Sequence, residues 1–241
     1  MDFDLTDDQK EIKGVAHELL ASRSPMARVR EAAEASSYDE SLWREIVELG
    51  WPGIAVSEEH GGQGLGAVAL GVLLEELGYA CAATPFLSTA VTAAVIQGAG
   101  SAEQQSQWLP GLVSGELRAG LGTRELAADA GGADVVLLLD EAALVSGADV
   151  EEFVAIDPTR RFGTVSGGSA EPLGAGAVDR ALTAISAEVV GVCQRALDMS
   201  LEYVKERKQF GVPVGSFQAV AHRCAQMLLA TESARSAAYF A

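Results

Sequence analysis

Basic side chains are scarce in this 241-residue chain: 17 Lys and Arg stand against 34 Asp and Glu, for a formal net charge of −17. A nucleic-acid surface needs a cationic stripe to displace counterions from phosphate, so the balance argues against that class of partner. It also repels anionic membranes and favours a freely soluble protein. Cysteine is rare: Cys81, Cys193 and Cys224 are odd in number, far apart and without metal-ligand spacing. They read as buried thiols in a reducing compartment. No apolar run approaches the roughly 20 residues that span a bilayer. The acidic start, Met1-Asp-Phe-Asp-Leu-Thr-Asp-Asp8, lacks the apolar core of a signal peptide. The expected location is cytoplasmic. Aromatics make up only 6% of the chain, while Ala and Gly supply much of its 49% hydrophobic content. That mix suits closely packed helices better than a β-sandwich.

What is present divides into three segments, with room for a substantial core. Residues 1–118 read as a helical domain. Thr6-Asp-Asp-Gln9 is a capping box, followed by Ile12, Val15, Ala16, Leu19 and Leu20 at helical spacing. A second helix is predicted over 39–49, with Gly50 as its stop. An extended Ile54-Ala55-Val56 and a Gly61–Gly64 loop follow, then helices near 67–77, 88–97 and 101–108, the last opened by the capping box Ser101–Gln104. Residues 119–174 read as a small β domain, with short strands at 135–139, 142–145, 153–156 and 162–165 and a glycine-marked loop at its far end. From 175 to 241 helical periodicity returns, through Val178, Leu182, Ile185, Val189 and Val192. A second helix begins near Ser216 and is still periodic at Ala241. The broad apolar faces of these two helices need partners. The expectation is that the natural polypeptide continues or that another chain covers them. The fold class is therefore mostly α with a small β middle domain.

The turn between the two last helices, Tyr203-Val-Lys-Glu-Arg-Lys-Gln-Phe-Gly-Val-Pro-Val-Gly-Ser-Phe-Gln-Ala-Val220, concentrates cations, amides and aromatic rings in an otherwise acidic chain. It resembles the signature of the acyl-CoA dehydrogenase family. Trp43–Trp51, Glu58–Gly66, Glu75-Glu-Leu-Gly78 and Gln107–Gly115 resemble phrases of the same family, in the same order, along nearly the whole chain. The resemblance implies FAD as cofactor, an acyl-CoA substrate, electron-transfer flavoprotein as electron acceptor, and assembly as a homo- or hetero-oligomer. By the same match Arg207, Gln209, Phe210, Phe217 and Gln218 become candidates for the ADP half of an FAD held mainly by a neighbouring subunit. The chemistry is apt: a pyrophosphate needs fixed donors, and flat rings need apolar surfaces. The plainer alternative is that Lys205, Arg207 and Lys208 only complement a helix C-terminus.

The resemblance weakens in the middle domain, which is about half the usual length. Leu121-Gly-Thr-Arg-Glu125 is the nearest match to the family's flavin-contacting phrase and makes Thr123 a flavin candidate, with a turn or capping role as its rival. Trp43, Trp51 and Trp108 are the only tryptophans, so none is available to that domain. Leu182 stands where many relatives have a CoA-contacting Arg, and Ala181 where some branches have their catalytic Glu. Arg180 is two positions away, about 200° around a helix. The catalytic base is unassigned. Gly61-Gly-Gln-Gly-Leu-Gly66 has the wrong spacing for a dinucleotide fingerprint, and His17, His60 and His222 show no ligand spacing. Two function classes follow from these features. One is an FAD-dependent acyl-CoA dehydrogenase subunit, which desaturates an acyl thioester at its α,β bond. The other is a non-catalytic partner that completes the flavin site of a paralogous subunit, some of which act on sterol side chains. The acyl group cannot be read from residue type.

Overall fold

The computed structural model describes residues 5–241, so Met1–Asp4 of the acidic start lie outside it. Six helices come first: α1 (Asp7–Arg23), α2 (Met26–Ala35), α3 (Glu40–Glu48), α4 (Gly66–Ala80), α5 (Phe86–Ala99) and α6 (Ala102–Ser114). Both capping boxes form. The Thr6 and Ser101 hydroxyls accept from the backbone N–H groups of Gln9 and Gln104, whose side chains return the bond. Asp39 caps α3 through the N–H groups of Ser41 and Leu42. α4 and α5 are apolar nearly all round because both are enclosed: Leu73, Leu74, Val91 and Ile96 are fully buried, and the long helix α7 (Ala177–Glu206) packs on both.

Three local expectations are corrected, and one helix was not expected. α2 lacks a strong apolar period and buries only Ala32, so it escapes pattern reading. Residues 54–56 are not extended. A 3-10 turn at Trp51–Gly53 runs into further turns, and the loop at Gly61–Gly64 folds back to bond Gly53 and Val56. α6 does not stop at Trp108. It continues through Pro110, because burying Leu109, Leu112 and Val113 offsets the roughly 3 kcal/mol that an internal proline costs. The thiols are not buried either: Cys193 is exposed, and Cys81 and Cys224 are half-buried.

Strands β1 (Ala119–Gly122), β2 (Ala127–Ala128), β3 (Val135–Leu138), β4 (Ala143–Glu152) and β5 (Gly163–Pro172) close into a small barrel of order β1-β2-β5-β4-β3. β1 and β3 pair in parallel; the other pairs are antiparallel. Val136, Leu138, Val145 and Val165 fill its interior. The expected strand at 153–156 is instead an exposed loop. Only Phe153 pairs, its N–H donating to the Phe162 carbonyl at 3.1 Å; beyond it the chain leaves the sheet and turns where Asp157 accepts from the Thr159 N–H. Gly167 and Gly168, expected in a loop, lie within β5.

α7 (Ala177–Glu206) and α8 (Gln218–Phe240) complete the fold. α7 crosses α4 backbone to backbone. A Cβ at Gly78 would collide with the Glu188 carbonyl oxygen, and one at Gly191 with that of Glu75. No described helix is long and apolar enough to cross a membrane.

Candidate functional site

The turn after α7 folds as a miniature hairpin. The Arg207 N–H still donates to the Tyr203 carbonyl at 2.8 Å, but its backbone is already extended. β6 (Lys208–Gln209) then pairs with β7 (Val212–Pro213) in the register Lys208↔Pro213 and Gln209↔Val212. The two-residue connection, Phe210-Gly211, has φ of +53° and +84°, as a tight turn matched to strand twist requires. Val214 donates back to the Arg207 carbonyl at 2.7 Å, and the Ser216 hydroxyl to the Pro213 carbonyl at 2.7 Å. Gly215 rests on Val204, where a Cβ would fall 3.1 Å from the carbonyl oxygen. The sequence pattern located this turn but not its strands, which are too short to show a period.

The hairpin leaves Arg207, Gln209, Phe210, Phe217 and Gln218 all exposed, a set termed the cradle. The Phe210 and Phe217 rings meet edge to face, 6.3 Å apart at 89°. Phe210 is 92% exposed and Phe217 38%. Among the described residues, no hydrogen bond or ion pair engages the Arg207 side chain. Gln218 approaches only His222, at 3.5 Å. Phe217 is the N-cap of α8 without a side-chain cap bond, and its carbonyl takes the N–H groups of Val220 and Ala221. The N–H groups of Gln218 and Ala219 therefore remain at the positive end of the helix dipole, close in sequence to the guanidinium. Free donors, a cation and two ring faces suit a diphosphate joined to a flat heterocycle.

Thr123 is placed differently. It opens the β1–β2 turn, where its N–H donates to the Leu126 carbonyl at 2.9 Å and its hydroxyl accepts from the Leu126 N–H at 3.2 Å. No hydrogen bond among the described residues joins it to the hairpin. Ala181 is fully buried in the main core, while Leu182 is half-exposed.

A cavity of about 590 Å³ lies between α4, α5, the first half of α7 and the end of α8. Gly66, Gly71, Ala94, Ala184 and Ala187 line it with small side chains, and Arg180 and Asp179 stand among them. No single motif marks it, because it is assembled from four separate elements.

Two buried charge clusters also went unseen. Arg160, turned inward beyond Asp157-Pro158, donates to Glu188 of α7 at 2.5 Å. Nearby, buried Asp129 accepts from the Ser88 hydroxyl at 2.6 Å and from Tyr38 at 3.0 Å. Burial pushes the Asp129 carboxyl up, although Arg160, Ser88 and Tyr38 pull the other way. Burial also pushes Glu188 up against the pull of Arg160. This pair joins the loop after β4 to α7. On α4, buried Glu75 receives Lys13 at 2.9 Å, Arg235 at 3.3 Å and the Tyr239 hydroxyl at 2.9 Å. Glu76 is 2.9 Å from His17. Two carboxylates inside an apolar helix are a sequence signal for buried ion pairs. Among the described residues, no group of three or more His, Cys, Asp or Glu could hold a metal ion.

Comparison with known proteins places these features in one context. The model of the acyl-CoA dehydrogenase N-terminal domain matches residues 6–116, and that of the C-terminal domain matches residues 176–241. The acyl-CoA dehydrogenase IpdE2 of Mycolicibacterium smegmatis is 31% identical over 241 residues, covering 96% of this chain and 76% of the relative. Its namesake from Mycobacterium tuberculosis is 32% identical over 225 residues, covering 90% and 70%. Among solved structures, a variant of the Tcur3481-Tcur3483 steroid ACAD superposes with a TM-score of 0.86 at 31% identity, over 97% of this chain and 76% of that one. Butyryl-CoA dehydrogenase from Megasphaera elsdenii shares the fold, with a TM-score of 0.81 at 20% identity over 99% and 79%.

Proposed function

The chain belongs to the acyl-CoA dehydrogenase family, and on that premise we propose that it is a subunit of an FAD-dependent dehydrogenase acting on the CoA thioester of a lipid or sterol-derived acid. The observation that carries this proposal is the outward cradle at Arg207–Gln218. An exposed phenylalanine held in the left-handed region, beside an unpaired guanidinium and free helix N–H groups, fits the ADP half of an FAD shared with a neighbouring chain. FAD would supply the hydride acceptor for desaturation, and electron-transfer flavoprotein would receive the electrons. Arg207 would bind the pyrophosphate, Phe210 and Phe217 would offer surface to the adenosine, and Gln209 and Gln218 would orient it. The small-residue cavity under α7 would take the acyl group and exclude water from it.

The isoalloxazine half fits this chain poorly. The Thr123 hydroxyl is used within its own turn, and the contact between the loop after β4 and α7 is taken up by the Arg160–Glu188 pair. Removal of an α-proton from a thioester needs a positioned base. Asp179 is the one carboxylate among the cavity-lining residues, and it lies on the exposed first turn of α7. These observations favour the second role, a partner subunit that completes the flavin site of a paralogous chain.

The test is flavin content and turnover of the purified protein, alone and co-expressed with a paralogous subunit. FAD should co-purify with assemblies, and acyl-CoA should bleach the flavin band there. If the chain alone bleaches with acyl-CoA, the catalytic role holds; if only the mixed assembly does, the partner role holds. An isolated monomer that retains a full equivalent of FAD would overturn the shared-site proposal. So would assemblies that never take up FAD.

A further inference from the structure

One residue lining the cavity, Arg180, is exposed and has no charge partner among the described residues. Arg180 lies in the first turns of α7, where its backbone N–H donates to the Gly176 carbonyl. Among the described residues no hydrogen bond or ion pair engages its guanidinium. The fork lies instead against α5 at Gly98, where a Cβ would fall 2.9 Å from Cζ and Nε and 3.0 Å from Nη1. The glycine leaves the room that the guanidinium occupies. Arg180 thus reaches from α7 to α5 over the cavity that Gly71, Ala94, Ala184 and Ala187 line. It is the sole cation among the lining residues, and its neighbour Asp179 is the sole carboxylate.

We propose that Arg180 selects acyl groups bearing a carboxylate of their own, remote from the thioester. The inference rests on the acyl-CoA function proposed above. An apolar cavity with small walls and a single planar donor fork suits a compact apolar body that carries one anionic oxygen pair. The rival recipient is the CoA carrier. Its phosphates bear several negative charges, and a site for them would gather several cations. Here one arginine stands beside Asp179, in a chain of net charge −17. One fork facing one carboxylate matches in both charge and geometry. The cavity wall on α7 runs from Gly176 to Ala187, roughly 16 Å at 1.5 Å per residue. A carboxylate can therefore reach Arg180 while the apolar body stays enclosed.

The test measures dissociation constants of the FAD-loaded assembly for two series of CoA thioesters. One series is hexanoyl-, octanoyl- and decanoyl-CoA; the other is the half-thioesters of the dicarboxylic acids of the same lengths. At one length or more, the dicarboxylic thioester should bind about tenfold more tightly than its neutral counterpart. In Arg180→Gln that ratio should fall to near one. Gly98→Ala keeps the charge but displaces the fork, and should lower the ratio as well. The proposal is overturned if wild type shows no preference at any length. It is also overturned if Arg180→Gln weakens both series equally, since that is the signature of a carrier contact. Failure of wild type to bind either series would instead bring down the acyl-CoA function itself, and this inference with it.

Discussion

Phe210 combines two unfavourable choices, a left-handed backbone at φ +53° and a ring almost wholly in water. Each costs free energy in the isolated chain, the backbone on the order of 1 kcal/mol. A residue kept under those conditions is explained by a ligand that covers it. Phe210→Gly should therefore leave the thermal stability of the apo protein equal or slightly raised, the relieved strain being offset by the entropy of the added glycine. The same change should weaken FAD binding several-fold in the assembled protein. Arg207→Lys keeps the charge and loses the planar fork. It should weaken FAD binding about tenfold, with the apo melting temperature unchanged. Titration of apo assembly with FAD reads both variants. Wild-type affinity in Arg207→Lys would return that residue to complementing the end of α7. At this scale the place of the hairpin was legible because cations, amides and rings crowd eighteen positions of an acidic chain. The role of Thr123 was not, because a threonine in a turn and one facing a flavin have the same neighbours in sequence.

Elements were legible where local chemistry decides them. Two capping boxes and the Gly50 stop all formed, because each satisfies helix-end groups within a few residues. Tertiary contacts decided the exceptions: α6 runs through Pro110 to bury its last turn, and the chain leaves the sheet after Phe153, whose N–H still donates to the Phe162 carbonyl, so that residues 154–156 form a loop before the turn at Asp157. The crossing of α4 and α7 also depends on distant residues, since Gly78 and Gly191 matter only when the two backbones touch. Glu75 sits at this crossing and ties α4 to α1 and α8. Burial opposes its charge, but Lys13, Tyr239 and Arg235 together outweigh burial and hold the carboxyl below its ordinary value of 4.5. With the folded value depressed, its contribution is present above that ordinary value and lost as pH falls through the folded one. Glu75→Gln should cost about 1–2 kcal/mol near neutral pH, because Lys13 and Arg235 lose a buried carboxylate but keep Glu76 and Glu232. Denaturant unfolding at stepwise lower pH should show the wild-type and variant stabilities converging in acid. Parallel curves would mean that another group carries the acid dependence.

For the whole molecule, the cradle and the cavity make opposite demands on the surroundings. The cavity is a half-open cleft between this chain's own helices, whereas the hairpin residues are exposed, so an FAD bound there would be held from one side. Along α7 and α8 several large apolar side chains are exposed: Leu182, Val189, Val192, Met199 and Tyr203 on α7, and Met227, Leu228 and Leu229 on α8, with Leu229 at 70%. Apolar area of this kind on a soluble domain marks an interaction surface. The broad faces were legible in the helical period; the outward aim of the cradle was not, because exposure depends on how the hairpin folds back over Val204. If these helices carry the subunit contact, flavin retention and assembly are linked even though the residues for each differ. Val192→Asp combined with Leu229→Asp touches no cradle residue and removes no core side chain, so the chain should stay folded by circular dichroism. Light scattering should show the wild-type assembly falling to monomers at micromolar concentration, and the flavin band should disappear from the purified protein. A stable wild-type monomer would remove the premise. A doubly substituted monomer that keeps its FAD would show that one chain's cradle suffices, contrary to the one-sided geometry of Arg207, Phe210 and Phe217.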